Sequence, residues 1–132
     1  MLSRGIYTLA NDTVYDQLVA LLNSIEKNIG SDIPVCVIPY NDRLEKTQKE
    51  IDSRPQVTLF NNSQSLARWD SFVNEVWEYH SQASKPLERP AWYKGFVHRK
   101  FAAFDGDFDR FVFFDADSLA MKPLDKIFEK LD

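Results

Sequence analysis

The chain has 132 residues, 44% of them hydrophobic and 27% charged, with a net charge of −4. This length fits one domain of about 100–150 residues and not two, and an acidic balance with no basic block argues against a nucleic-acid backbone or an anionic membrane as the main partner. The single cysteine, Cys36, excludes an internal disulfide framework and a cysteine-built zinc site, and no apolar run reaches the roughly 18 residues of a membrane helix.

Gly5 to Ala10 is a short β-prone run. Asn11-Asp12-Thr13 are N-cap residue types, and Val14, Leu18, Leu21, Leu22, Ile25 and Ile29 then recur at helical spacing. Gly30 stands where a helix ends in the C′ position. Ile33 to Ile38 is a continuous apolar run, as in a strand buried on both faces. Asp42 to Asp52 reads as a weaker helix with Leu44 and Ile51 on one face, and Gln56 to Phe60 as a third strand. Leu66, Trp69, Val73, Val76, Trp77 and His80 form a stripe that predicts a helix over Ser63–Gln82. Pro86 and Pro90 mark a loop, a helix follows over Tyr93–Phe104, and Arg110 to Phe114 reads as a fourth strand. Leu124, Ile127, Phe128 and Leu131 make one face of a closing helix.

This alternation is the grammar of an α/β layer with a mainly parallel sheet, right-handed crossovers and helices on both faces. The expected strand order is 3-2-1-4. Ligands of such sheets bind beyond the C-terminal strand ends, where the strand order reverses. The residues just after strands one and four are therefore the place to look.

Strand four ends in Phe113-Phe114-Asp115-Ala116-Asp117-Ser118. In extended backbone, positions i and i+2 point to the same side, so Asp115 and Asp117 would place two negative charges in one spot. A cation relieves that cost, and hard oxygen ligands favour Mg²⁺, Mn²⁺ or Ca²⁺. Such an ion can hold a diphosphate that bare carboxylates would repel. The competing reading is a pair of solvated aspartates that merely ends the strand.

The run Phe111 to Ala120, followed by Lys122-Pro123-Leu124 and Ile127-Phe128, resembles the DxD region of nucleotide-diphospho-sugar transferases with the GT-A fold. It is most similar to glycosyltransferase family 8 and glycogenin-like enzymes. Ile6 to Asp12 resembles their first strand and nucleotide loop, and the element order fits over the whole chain. The resemblance implies a Rossmann-like GT-A three-layer sandwich. It implies that Asp115 and Asp117 bind a divalent cation, Mn²⁺ or Mg²⁺, and the diphosphate of a nucleotide-sugar donor, most simply a UDP-sugar. Asp115 and Ala116 would also approach the nucleotide. Thr8, Leu9 and Ala10 would line the base pocket through backbone groups, with Asn11 or Asp12 helping to close it. Arg99 and Lys100 are the candidates for a basic residue aimed at phosphate or sugar. They are neighbours on a helix, about 100° apart, so one of them would face the site. The acceptor of the sugar and the oligomeric state are left open by the residues.

Family members continue past the DxD strand into an acceptor-binding half, which supplies a further metal ligand, usually a histidine. The expectation is thus a single nucleotide-sugar-binding domain, 1–132, forming the N-terminal part of a longer enzyme; the alternative is a non-catalytic nucleotide-binding or interaction module of the same fold. A phosphatase of the haloacid dehalogenase type also places Asp-x-Asp after an apolar strand, but in the first strand of its domain. Asp105, Asp107 and Asp109 lack the Gly and Glu of a calcium loop and read as a solvated turn. His80 and Cys36 read as packing residues, His98 as a neighbour of the basic pair, and Trp92 and Tyr93 as a loop anchor. The start of the chain lacks the apolar stretch and cleavage site of a signal peptide, so the expected compartment is the cytoplasm.

Overall fold

Residues 3–79 and 95–131 are described by a computed structural model. In chain order these are β1 (Arg4–Ala10), a 3-10 turn (Asp12–Val14), α1 (Tyr15–Asn28), β2 (Val35–Pro39), α2 (Glu45–Asp52), β3 (Val57–Leu59), α3 (Ser63–Glu78), a 3-10 helix (Val97–Asp105), β4 (Arg110–Phe113) and α4 (Asp125–Lys130). The strands form one four-stranded sheet in the order β3-β2-β1-β4, and every pairing is parallel. This is the order expected from the sequence.

Side chains along a strand alternate between faces, and here each face meets its own helices. Ile6, Val35, Val37 and Val57 share a core with Leu18, Leu21, Leu22 and Ile25 of α1, Ile51 of α2 and Phe128 of α4. Tyr7, Cys36 and Ile38 point the other way, to Ala102 and Ala103 of the 3-10 helix and to Leu66 and Trp69 of α3. The result is a Rossmann-like sandwich of helices, sheet and helices. Because β2 is covered on both sides, all five of its residues are buried, which is why its sequence does not alternate. Each fully buried leucine or isoleucine of α1 contributes about 1.5–3 kcal/mol of apolar burial.

Helix ends follow the cues in the sequence. The N–H groups of Ile29 and Gly30 both donate to the Ile25 carbonyl at 2.9 Å, and Gly30 has φ +154°, a conformation that side chains disfavour. Asn62 accepts from the Ser65 N–H at 3.0 Å and caps α3.

The strand ends shift from expectation by one or two residues, and three helices differ by more. The second helix begins at Glu45 rather than Asp42, because the Asn41 side chain accepts the Arg43 N–H at 3.0 Å and turns the chain first. The segment expected as a helix over Tyr93–Phe104 is a 3-10 helix over Val97–Asp105 in its described part. Its i→i−3 bonds show at both ends, from Arg99 N–H to the Phe96 carbonyl (2.9 Å) and from Gly106 N–H to the Ala103 carbonyl (3.2 Å). Apolar spacing over so short a run does not separate a period of about 3.0 from one of about 3.6. The third helix ends at Glu78 where Gln82 was expected. His80, the Pro86–Pro90 loop, Trp92 and Tyr93 lie outside the described residues. Among those described, no helix is long and apolar enough to cross a membrane.

Candidate functional site

β1 lies between β2 and β4, so its C-terminal end is flanked by both of theirs. On one side the Tyr40 N–H donates to the Ala10 carbonyl (2.9 Å); on the other, the Phe114 N–H donates to the Tyr7 carbonyl (2.9 Å). β4 pairs as far as Tyr7 with Phe113, and the chain after it continues alongside the rest of β1. A cleft of about 670 Å³ opens over these ends. β1 and its loop contribute Leu9, Ala10 and Asn11. The segment after β2 contributes Tyr40, Asn41 and Arg43, the segment after β4 contributes Asp115, Ala116 and Asp117, and Thr13, Val14, Gln17 and Val97 complete the wall.

The Asp-x-Asp segment is held by its middle residue. Ala116 is buried in the core with α1, while Asp115 and Asp117 are exposed to the cleft on either side of it. The Ser118 N–H closes a turn on the Asp115 carbonyl at 2.9 Å. Downstream, the Ala120 N–H donates to Ser24 Oγ (2.8 Å) and Asn28 Nδ2 to the Ala120 carbonyl (2.7 Å), which ties the loop to α1. Neither carboxylate meets a hydrogen-bond donor or cation among the described residues. No group of three or more His, Cys, Asp or Glu side chains suited to a metal occurs among them either. Asp115 and Asp117 thus stand in a turn and not in the extended backbone expected from the sequence; they are the carboxylates on the lining that could hold a hard divalent cation, of the kind bound through one or two protein carboxylates and completed by substrate phosphates and water.

The other residues singled out in the sequence divide. Asn11 is buried at the cleft floor. Its Oδ1 accepts the Thr13 N–H at 3.0 Å and its Nδ2 donates to Asn41 Oδ1 at 3.2 Å, joining the loops after β1 and β2. Asp12 faces α2 instead, accepting from the Thr47 N–H (2.8 Å) and hydroxyl (2.9 Å). Desolvation pulls its pKa up, but the bonds from Thr47 outweigh it and hold the carboxyl below its ordinary range. Thr8 is fully buried within β1 and does not line the cleft.

Arg99 and Lys100 do not line it either. Arg99 forks onto Asp70 of α3, with NH2 to Oδ2 at 2.9 Å and Nε to Oδ1 at 3.2 Å. Its NH1 donates to the Pro39 carbonyl at 3.1 Å, and its guanidinium lies over the Phe96 ring, 4.6 Å from the centroid. His98 Nε2 meets the same Asp70 at 2.6 Å. Burial raises the pKa of Asp70, but the bonds from Arg99 and His98 dominate and depress it. This cluster clamps α3 to the 3-10 helix. Of the acidic turn, Asp105 accepts from Ser65, Arg68 and Trp69, and Asp109 holds Ser3. Burial pushes the Cys36 thiol up to about 11, as suits a core residue.

Tyr40, Asn41 and Arg43 were not anticipated. The signal was available, since they follow the C-terminal end of a parallel strand beside the switch point. Their run in the sequence, Pro39-Tyr40-Asn41-Asp42-Arg43, carries no motif, and only the β1–β2 pairing brings it beside Asn11.

No curated protein matches the chain. Residues 3–131, nearly all of it, match the family described as "Mannosyltransferase putative". With its parallel sheet and a cleft where the strand order reverses, the chain belongs to that family and is a glycosyltransferase domain.

Proposed function

We propose that the cleft binds a nucleoside-diphosphate sugar in the GT-A manner, with a divalent cation, Mn²⁺ or Mg²⁺, held between Asp115, Asp117 and the donor's diphosphate. The observation that carries this reading is a pair of carboxylates, without partners among the described residues, lining the same cleft as Ala10 and Asn11. The cleft is of the size that small-molecule sites usually have, about 300–1,000 Å³. Leu9, Ala10, Val14 and Val97 give it apolar walls against which a base and ribose can pack. The family's description points to a mannosyl group as the transferred sugar.

In transfer, the acceptor's nucleophilic atom bonds to the anomeric carbon and gives up its proton to the leaving phosphate or solvent, while the bond from that carbon to the phosphate oxygen breaks and the nucleoside diphosphate leaves with the electron pair. A bound cation offsets the charge that develops on that leaving group. Asp115 and Asp117 would hold such a cation, and their loop is fixed before the donor arrives because Ala116 is packed in the core and Ala120 is bonded to α1. The main chain of Leu9 and Ala10 sets the depth at which the nucleoside sits. Binding therefore has to depend on metal. Each like-charge pair at about 4 Å costs on the order of 4 kcal/mol at an effective dielectric near 20, and the cation reverses that sign.

Calorimetric titration of UDP, with GDP as the comparison base, tests the reading. Binding is expected with Mn²⁺ and lost with chelator. Asp117→Asn keeps the size and removes an anionic ligand, so the affinity should fall about tenfold or more, which corresponds to about 1.4 kcal/mol. Asp107→Asn, exposed and outside this cleft, is the control. Metal-independent binding that survives Asp117→Asn would reduce the pair to a strand terminus.

A non-catalytic nucleotide-binding module is the second reading. It is favoured by one observation: among the described residues lining the cleft, Asp115 and Asp117 are the only carboxylate, histidine or cysteine side chains. Release of nucleoside diphosphate from a sugar nucleotide under turnover conditions separates the two.

A further inference from the structure

Among the described residues the cleft is lined by one cationic side chain, and it is not one of the two that the sequence suggested. Arg43 is the only basic side chain on the lining among the described residues, whereas Arg99 is committed to Asp70 and the Pro39 carbonyl. The backbone of Arg43 is fixed at two points. Its N–H donates to Asn41 Oδ1 at 3.0 Å, and its carbonyl accepts the Asp12 N–H at 2.9 Å. Its guanidinium, by contrast, is exposed and meets no carboxylate, carbonyl or ring among the described residues. This long cationic side chain sits on a pre-set turn at a cleft whose other charged groups, among the described residues, are two carboxylates, so it is placed to meet an anion bound between them. The nearby N-terminus of α2 does not compete for such an anion, because Asp12 already accepts the Thr47 N–H there.

We propose that Arg43 is a donor-binding residue: from the β2 side of the cleft, its guanidinium hydrogen-bonds the phosphate of the bound nucleotide, opposite the Asp115–Asp117 pair. This rests on the nucleotide reading given above and adds the residue that meets the phosphate charge from the protein side. Phosphate is the partner that the chemistry favours over the base. At an exposed rim, a bond between two ions is shorter and about twice as strong as one between neutral groups, whereas a neutral base edge offers an exposed guanidinium little gain over water.

The test is calorimetry on the full chain with Mn²⁺, using UDP, GDP and uridine as ligands and wild type, Arg43→Gln, Arg43→Lys and Asp117→Asn as proteins. Arg43→Gln should weaken UDP and GDP by the same factor, about tenfold, and leave uridine unchanged. Arg43→Lys should recover part of the loss by keeping the charge without the fork. Melting temperatures should stay level across the Arg43 variants, since the side chain holds nothing in the free protein. If Arg43→Gln binds UDP like wild type while Asp117→Asn is weakened, the Arg43 assignment falls and the nucleotide reading stands. Equal losses for uridine and UDP would overturn it by giving Arg43 to the base. If wild type binds none of the ligands, both readings fall.

Discussion

Asp12, Asp105 and Asp115 are the same residue type near strand ends or turns, and their surroundings separate them. Asp105 is pinned by Ser65 Oγ at 2.6 Å, Arg68 NH2 at 2.7 Å and Trp69 Nε1 at 2.9 Å, and Asp12 by Thr47; Asp115 and Asp117 have no such partners among the described residues. Asp105→Ala is expected to destabilise the fold by about 1.5–3 kcal/mol, the usual worth of hydrogen bonds to a charged group, as read by urea unfolding. The Ser65 hydrogen bond, foremost, keeps the Asp105 pKa below its ordinary value despite some desolvation. A carboxyl depressed in the folded state contributes stability that is complete above the unfolded pKa of about 3.9 and is lost as pH falls through the lower folded value. Asp105→Asn should accordingly flatten the acid limb of the stability curve below about pH 4 while leaving its slope near neutrality alone. The sequence singled out Asp115 and Asp117 by type, spacing and strand-end position, and both line the cleft. It did not disclose what Arg99 does, because its partner Asp70 lies on another helix and only tertiary packing joins the two.

At the scale of elements, the strong periodicities were readable and the turn chemistry was not. The stripe of α1 and the apolar run of β2 each reflect burial that the residues themselves impose. The start of α2 depends on an asparagine side chain competing for a backbone N–H, and the 3-10 helix on packing Ala102 and Ala103 against Tyr7 of β1 and Cys36 and Ile38 of β2. Helix α4 is short, and its hold on the sheet is concentrated in one residue. Phe128 is 2% exposed, its carbonyl accepts from Arg110 NH1 at 3.1 Å, and the guanidinium of Arg4 lies 5.4 Å from the centre of its ring. Phe128→Ala should therefore cost about 3–5 kcal/mol, the range for truncating a buried aromatic. Ile127→Ala, on the 47%-exposed neighbour, should cost well under half as much. Urea midpoints of the two variants check the difference, and equal losses would mean that α4 is held by its whole face rather than by one ring.

For the whole molecule, strand order decides what the local motifs can do. The Asp-x-Asp segment and the loop after β1 are more than a hundred residues apart in sequence, and the order β3-β2-β1-β4 makes them neighbours. That order was legible because parallel strands buried on both faces leave few topologies, and the switch point then names the place of the cleft. The contribution of β2's end to the cleft was not legible, because it depends on how far the pairing with β1 runs before Tyr40. A cleft shared by three strand ends couples ligand binding to the stability of the sheet itself. If the folded chain alone binds nucleoside diphosphate with metal, a ligand at about 100 times its Kd adds about 2.7 kcal/mol to unfolding. For a domain of this size each kcal/mol moves Tm by roughly 3–5 °C, so a rise of about 10 °C is expected with UDP and Mn²⁺ together. With chelator the rise should vanish, since the two carboxylates then repel the diphosphate. In Asp117→Asn a tenfold weaker Kd leaves about 1.4 kcal/mol at the same ligand concentration, which halves the shift. Thermal melts of both proteins, with and without each component, make the measurement. A full shift in Asp117→Asn, or one that persists in chelator, would show that the nucleotide is held without the carboxylate pair.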